Sequence, residues 1–241
     1  AARDAGVRLV CLDRAAVAPG LEGEACFQAL AGEVGALAAG GPVTLIGFSL
    51  GAFAALRTAA CMTTPPAAIH LVSAAAPLES GDFIDAMAGQ AVFRMAAGRP
   101  ALFRQVTRLQ GWLAAHAPGL LFRMLFATAA GADRDLAADP DFRKGLAPVL
   151  RRALGPDAKG YIRDVAAYVT PWSDRLAAIT APTRIWHGAA DTWSPPGMAD
   201  SLARLIPGAA QPEILSGLSH YSCLFAAMPE IFASLNTRSD T

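Results

Sequence analysis

One serine lies between two glycines at the point where a strand pattern changes into a helix pattern. Residues 43–48 are mainly aliphatic and end in Gly47-Phe48, and Ser49-Leu50-Gly51 opens an alanine-rich stretch. A G-x-S-x-G sequence between a strand and a helix is typical of a sharp turn that exposes a nucleophilic serine. The alternative is a small residue in a tightly packed turn, without chemistry.

The two neighbours of this serine could bind a substrate or the negative charge that develops on it. The backbone N–H of Leu50 would point to an oxyanion, and the positive end of the helix dipole would add to its stabilisation. We therefore predict Ser49 as a nucleophile, with Leu50 and Phe48 as oxyanion or substrate-binding residues.

A serine hydroxyl needs a base to become a good nucleophile, and the chain has four histidines. His220 lies in a loop after the last strand pattern, at the carboxyl edge where parallel sheets collect their sites. It is the predicted base. His70 falls inside a strand pattern and is expected in the core, whereas His116 is expected at a helix end. His187 is expected to support the turn that follows its strand.

The third member of such a site is an acid that orients the imidazole. Asp191 follows a strand pattern at the same edge of the sheet and is the predicted acid, although it could simply cap the next helix. Glu79, just after another strand pattern, is the main alternative. Asp200 is expected to face solvent on a helix.

The order of the elements predicts an α/β fold. Strand patterns cover residues 7–13, 43–48, 68–73, 183–187 and 213–215, and helix patterns cover residues 22–39, 50–62, 195–206 and 221–235. Strands that alternate with helices form βαβ units and a parallel sheet. We predict a three-layer α/β/α sandwich built from residues 1–77 and 171–241.

Residues 78–170 have helical patterns without strand patterns, which predicts a helical insertion between two strands of this core. We refer to residues 78–170 as the helical insertion. Arg104, Arg108 and Arg123 are expected on a solvated basic face. The apolar residues 122–126 are expected to line a pocket over Ser49.

Successive motifs of the chain resemble landmarks of the α/β-hydrolase fold family over nearly its whole length. They are Asp-Arg at 13–14, GFSLG, LVSAAAP, PTRIWHGAADTWSPP, LARLIPGA and GLSHYS. The chain order Ser, Asp, His is also that of the family. The resemblance implies Ser49 as nucleophile, Asp191 as acid, His220 as base and the Leu50 N–H as an oxyanion donor. It implies a helical cap at residues 78–170 and no metal or organic cofactor.

Two features depart from the family pattern. The family usually has, upstream of the equivalent of residues 7–13, a strand that ends in a His-Gly oxyanion loop. In the family's sheet this strand lies between the equivalents of residues 7–13 and 43–48, and the sequence has no such strand. We expect either a gap beside residues 43–48 or residues 7–13 moved in to fill it, and consequently either aggregation on expression or a folded protein with weak turnover. The Pro-Gly-x-Gly-x-Ser loop that often follows Asp-Arg reads Ala-Ala-Val-Ala-Pro-Gly at 15–20. The chain begins with Ala, so we expect missing or processed residues upstream.

Charge and composition narrow the classes of partner. Lys plus Arg and Asp plus Glu are both 20, which gives no general attraction to nucleic acid or to an anionic membrane. The uncharged runs 34–56 and 58–78 are long enough for membrane spans, but glycines and prolines favour turns and buried strands. Scattered cysteines indicate no metal site and a reducing, cytoplasmic compartment. Cys11 and Cys61 are expected in the core.

The leading hypothesis is a serine hydrolase that cleaves an ester, thioester or related acyl bond of a small apolar substrate. A non-catalytic ligand-binding or interaction protein on a truncated scaffold is the alternative, because a fold does not determine function. Lyase, transferase or cofactor-free oxygenase chemistry with the same residues stays open. So do the acyl acceptor and the oligomeric state.

Overall fold

The computed structural model describes residues 6–155 and 158–236. Within these ranges, four parallel strands form one sheet in the order β1-β2-β3-β4. They are β1 (Thr44–Phe48), β2 (Ala68–Val72), β3 (Thr183–Gly188) and β4 (Glu213–Leu215). These strands confirm the last four strand patterns of the sequence. Phe48 pairs with Val72, and Val72 with Trp186, so the carboxyl ends of these strands share one edge.

The helices begin and end near the predicted residues. Before and around the sheet they are α1 (Arg14–Val17), α2 (Gly23–Ala38), α3 (Leu50–Cys61), α10 (Gly197–Leu205) and α11 (His220–Asn236). Between β2 and β3 they are α4 (Gln90–Gly98), α5 (Pro100–His116), α6 (Pro118–Leu125), α7 (Asp133–Ala138), α8 (Pro140–Ala153) and α9 (Lys159–Tyr168). The predicted helices of the sandwich correspond to α2, α3, α10 and α11.

Side chains that point alternately to the two faces of the sheet pack against helices on both sides and so form three layers. Successive side chains of a strand point to opposite faces of the sheet. Ile69 and Leu71 therefore join a core formed with α2, α3 and α10, while Val72 packs with α11 on the other face. Phe53 of α3 is fully buried in the larger core, where a side chain of its size contributes about 1.5–3 kcal/mol. The predicted α/β/α sandwich is confirmed.

The strand predicted over residues 7–13 is wrong. This segment forms no strand in the structure and is largely exposed: Leu9 is 59 % and Val10 is 45 % accessible to solvent. Within the described ranges, β1 pairs only with β2 and is an edge of the sheet. A buried parallel strand needs neighbours that satisfy its backbone and cover both its faces. In the described structure residues 7–13 pair with no strand, so they neither occupy the position beside β1 nor add a strand elsewhere in the sheet.

Cys11 lies in the same segment and is exposed, so the prediction that it belongs to the core is wrong. Its place there depended on the strand that does not form. Cys61 is half-buried at the end of α3, where its thiol donates a hydrogen bond to Glu24 at 3.3 Å. Burial, followed by this contact with Glu24, raises the pKa of the Cys61 thiol to about 11.

The helical insertion contains α4 to α9, and no strand occurs among its described residues. Arg104, Arg108 and Arg123 are exposed, as the sequence predicted. The insertion is joined to the segment before α2 by an ion pair of 2.7 Å between Arg14 and Asp164. In the described part of the chain, no helix combines the length and apolar character of a membrane span. The exact limits of the insertion as a domain stay a prediction.

Candidate active site

Ser49 lies on a strained turn between β1 and α3. Its backbone has φ of 54° and ψ of −129°, a conformation with positive φ that residues with side chains rarely adopt. Gly47 permits the close approach of strand and helix, since a Cβ atom there would lie 2.6 Å from Ala52 Cα. Leu50 is the first residue of α3, so its N–H has no acceptor within the helix. The turn therefore has the geometry of a nucleophile elbow.

Asp191 and His220 form a buried hydrogen bond on the carboxyl side of the sheet. His220 Nδ1 lies 2.8 Å from Asp191 Oδ2, and the two residues are 1 % and 4 % exposed. The other carboxylate oxygen accepts the N–H groups of Trp193 and Ser194 at 2.8 and 3.0 Å. Because an ionised carboxylate only accepts, Nδ1 carries the proton and Nε2 is left as the basic atom.

The environment of Asp191 favours its ionised form. Burial acts to raise the pKa of this carboxyl, but the facing imidazoles of His220 and His187 and the bonds from His220 and Ser194 outweigh it. The pKa of Asp191 is consequently held below its ordinary value. An ionised, immobile carboxylate can orient the imidazole and stabilise an imidazolium that forms during a reaction.

Ser49 lies near His220 without a hydrogen bond to it. The Ser49 N–H donates to Val72 O at 3.1 Å, and the hydroxyl of the next residue, Ser73, donates to the backbone carbonyl of His220 at 3.1 Å. The Phe48 ring lies 4.8 Å from the His220 ring. Within residues 6–155 and 158–236, the Ser49 hydroxyl makes no hydrogen bond. The structure thus pairs Asp191 with His220, and the Ser49 hydroxyl has no hydrogen-bond partner among the described residues.

Glu79, the alternative acid, binds backbone N–H groups and makes no contact with His220 in the described structure. Glu79 accepts the N–H groups of Trp172 and Ser173 at 2.7 and 2.8 Å, so its carboxylate caps the turn that follows the helical insertion. Burial opposes ionisation of Glu79, but these bonds lower its pKa overall. Asp200 is exposed on α10, as predicted. Of these acids, Asp191 is the one that contacts His220.

The other histidines occupy the places that the sequence predicted. His70 is buried in β2 with its ring 5.1 Å from that of Trp186, and His116 ends α5. The Nε2 of His187 donates to the carbonyl of Ser194 at 2.7 Å and thereby supports the Asp191 turn. Burial is the main cause that holds the pKa of His187 below its ordinary value.

An aromatic cluster around His220 was not found from the sequence. The Trp193 ring stacks on the His220 ring at 5.6 Å, and Phe126 of the insertion lies 5.9 Å from Trp193 and 5.5 Å from Tyr221. Phe122 packs instead on Phe126 and Leu146 in a core of the insertion. The sequence predicted a lining by residues 122–126, but only packing decides that Phe126, the residue just after α6, contacts Trp193 and Tyr221. The position of Trp193, two residues after Asp191, was the signal in the sequence that could have predicted this aromatic cluster.

Together, the parallel sheet, the strained serine turn and the buried Asp–His pair define the class of protein. A family model described as the alpha/beta hydrolase family matches residues 1–235. The chain therefore belongs to the alpha/beta hydrolase family. No protein with a curated description matches the sequence significantly. In the described part of the chain, His, Cys, Asp and Glu side chains form no group of three that could hold a metal ion.

Solved structures share the fold at low identity. A thermophilic esterase from Thermogutta terrifontis, with malate bound, matches with a TM-score of 0.60 and 18 % identity over 90 % of this chain and 74 % of its own. A bromoperoxidase from Bacillus anthracis matches with a TM-score of 0.58 and 20 % identity over 90 % and 76 %. An alpha/beta hydrolase fold protein from Nakamurella multipartita matches with a TM-score of 0.57 and 23 % identity over 88 % and 74 %.

Proposed function

We propose that this protein is a serine hydrolase that cleaves an ester, thioester or related acyl bond of a small apolar substrate. The observation that carries the proposal is the buried 2.8 Å bond from His220 to Asp191, on the sheet edge where the strained turn presents Ser49. Membership of the alpha/beta hydrolase family supports a hydrolase, and one structural neighbour is described as an esterase.

In the proposed reaction, the Ser49 oxygen attacks the acyl carbon while Nε2 of His220 takes its proton. The N–H of Leu50 and the amino end of α3 stabilise the oxyanion of the tetrahedral intermediate. His220 then gives the proton to the leaving group, which departs and leaves an acyl group on Ser49. Water, deprotonated by His220, releases the acid and restores the serine. Asp191 holds the imidazole throughout.

The experiment is covalent labelling with a fluorophosphonate, followed by peptide mapping and by hydrolysis of a series of p-nitrophenyl esters. We expect the label on Ser49 and a loss of about 10⁴-fold or more in kcat for Ser49→Ala and His220→Ala. Ser234→Ala, which removes a helix hydroxyl bonded to Ile231, is the control. Activity of wild-type size in Ser49→Ala would show that the nucleophile is wrong.

A non-catalytic binding protein is the second candidate. It is favoured by the hydroxyl of Ser49, which has no hydrogen bond to the described residues and therefore no preformed base contact. A wild-type protein that is folded but neither labelled nor active would favour this candidate.

A further inference from the structure

A carboxylate of the helical insertion lies at the amino end of the helix that carries His220. Asp133 opens α7, is 1 % exposed and faces the first turn of α11. Its Oδ2 accepts the N–H of Tyr221 at 3.0 Å. Its Oδ1 accepts the N–H of Ser222 at 2.8 Å and the hydroxyl of Ser222 at 2.6 Å. The carboxylate therefore binds the two residues that directly follow His220.

These bonds replace a cap that the helix does not supply itself. The first N–H groups of a helix have no partner within it, and a Ser just before the helix commonly accepts one of them. Here the Ser219 hydroxyl donates instead to the carbonyl of Ala190 at 3.1 Å. The N–H of Ser219 donates to Ser222 Oγ at 2.8 Å. Asp133 is left as the acceptor for the first turn.

The residues before Asp133 contact both loops of the acid–base pair. The N–H of Ala132 donates to Gly217 O at 2.9 Å, in the loop that leads to His220. The hydroxyl of Thr192, next to Asp191, donates to Thr128 O at 3.3 Å. The stretch 128–133 is thus joined to the loop of the acid and to the loop of the base.

A buried carboxylate is costly unless hydrogen bonds or charges compensate it. In the described ranges, no ion pair joins Asp133 to a cation, and the bonds from Tyr221 and Ser222 are what compensates it. All of these donors belong to the first turn of α11, so the stabilisation of Asp133 depends on that turn being in place. The same bonds hold the turn, and with it the backbone of His220.

We propose that Asp133 is a positioning residue for the base, through which the helical insertion fixes the orientation of His220 toward Asp191 and Ser49. The proposal rests on the proposed function for its kinetic consequence. A displacement of about 1 Å in a reacting group can cost about 10²-fold in rate. Asp133 touches neither the substrate nor the reacting atoms and acts through the helix turn.

The test compares Asp133→Ala and Asp133→Asn with Asp135→Asn, which removes an exposed carboxylate from the same helix. Two quantities are measured in each: kcat and KM on a p-nitrophenyl ester, and the downfield proton NMR resonance of His220 Nδ1–H, assigned by its loss in His220→Ala. For Asp133→Ala we expect kcat to fall by about 10²-fold with little change in KM, and the resonance to broaden or vanish. Asp133→Asn keeps one acceptor oxygen and should recover part of both, and Asp135→Asn should match the wild type.

An unchanged resonance and an unchanged kcat in Asp133→Ala overturn the proposal, and so does an equal effect in Asp135→Asn. If Asp133→Ala does not fold, Ser222→Ala takes its place, because it removes the hydroxyl that joins Asp133 to Ser219. It should lower kcat and weaken the resonance in the same direction, and an unchanged resonance there overturns the proposal. The His220 Nδ1–H resonance is measured on the resting protein and does not depend on enzymatic activity. An inactive wild type refutes the proposed hydrolase, whereas the response of its resonance to Asp133→Ala still decides the positioning role.

Discussion

At the scale of single residues, the candidate site depends on how buried polar groups share their hydrogen bonds. Asp191 gives one oxygen to His220 and the other to the N–H groups of Trp193 and Ser194. One side chain therefore both caps the turn at Trp193 and Ser194 and holds the imidazole of His220, as the proposed catalytic role requires.

Replacement of this acid gives the first prediction. Asp191→Asn removes the negative charge and presents an amide that cannot hold the same tautomer of His220, so we expect a loss of up to about 10⁴-fold in kcat. Glu79→Gln is the matched control, because its carboxylate binds the N–H groups of Trp172 and Ser173. It should change thermal stability more than kcat in an ester assay. A greater loss of kcat in Glu79→Gln would show that the acid is misassigned.

His187 gives a prediction about pH and stability. Its pKa in the folded protein is below the ordinary 6.5, so the unfolded chain takes up a proton there that the native protein does not. The contribution of this ring to stability is complete above pH 6.5 and is lost as pH falls below it. One such proton changes the free energy of unfolding by at most about 1.4 kcal/mol per pH unit.

We therefore expect His187→Gln to lose less stability than the wild type between about pH 7.5 and pH 5.5, a window around the His pKa. Urea unfolding at both pH values measures the two differences. His116→Gln, which removes an exposed imidazole at the end of α5, controls for the number of histidines. Identical pH dependence in the wild type and His187→Gln would contradict the prediction.

At the scale of elements, close backbone contacts bring the loops of the site together. A Cβ at Gly188, the last residue of β3, would lie 2.3 Å from Ser219 O and 2.6 Å from Leu218 O. Both atoms belong to the backbone of the loop before α11, so no side chain could rotate away. The absence of a side chain at Gly188 allows the end of β3 to touch the loop that carries the base.

Gly188→Ala should therefore push the His220 loop away from Asp191. We expect a destabilisation of about 1–3 kcal/mol from overpacking, with a clear loss of kcat. Gly35→Ala is the matched control, since a Cβ there meets nothing within 4 Å in the middle of α2. It should raise stability by about 0.5–1 kcal/mol. Thermal unfolding and ester kinetics on both variants test the pair, and a harmless Gly188→Ala would contradict it.

At the scale of the whole molecule, the helical insertion meets the site through aromatic side chains. Phe126 lies against Trp193 and Tyr221, the residues that flank the acid and the base in space. By contrast, Trp112 of α5 is 55 % exposed and stacks on His116 of the same helix. The part of the insertion around Phe126 is thus the part expected to control substrate choice.

Phe126→Leu should change the preference for acyl chain length rather than the chemical step. We expect the ratio of kcat/KM between short and long p-nitrophenyl esters to shift by about tenfold, since one methylene in an apolar pocket is worth that much. Trp112→Ala on the exposed face should leave the ratio unchanged, and thermal unfolding checks that both variants fold. An unchanged ratio in Phe126→Leu would mean that the insertion has a structural role only.

The sequence alone determined the local features of this protein. The glycines around Ser49 predicted the turn because they act on the backbone within a few residues. The strands could be predicted from short runs rich in apolar and β-branched residues between turn signals. His220 and Asp191 could be predicted because each lies in the loop that follows a strand, and the carboxyl ends of parallel strands meet at one edge.

Only the tertiary structure decided features that depend on distant partners. Residues 7–13 have the composition of a buried strand, but a strand also needs a neighbour to complete its hydrogen bonds, and no strand among the described residues pairs with them. Asp191 and Glu79 both follow strands, and only the structure shows that Asp191 contacts His220 while Glu79 contacts the N–H of Trp172. Asp133 gave no signal at all, because nothing near it in the chain shows that its carboxylate meets Tyr221 and Ser222. Such contacts arise when the insertion packs on the sheet, which no local pattern encodes.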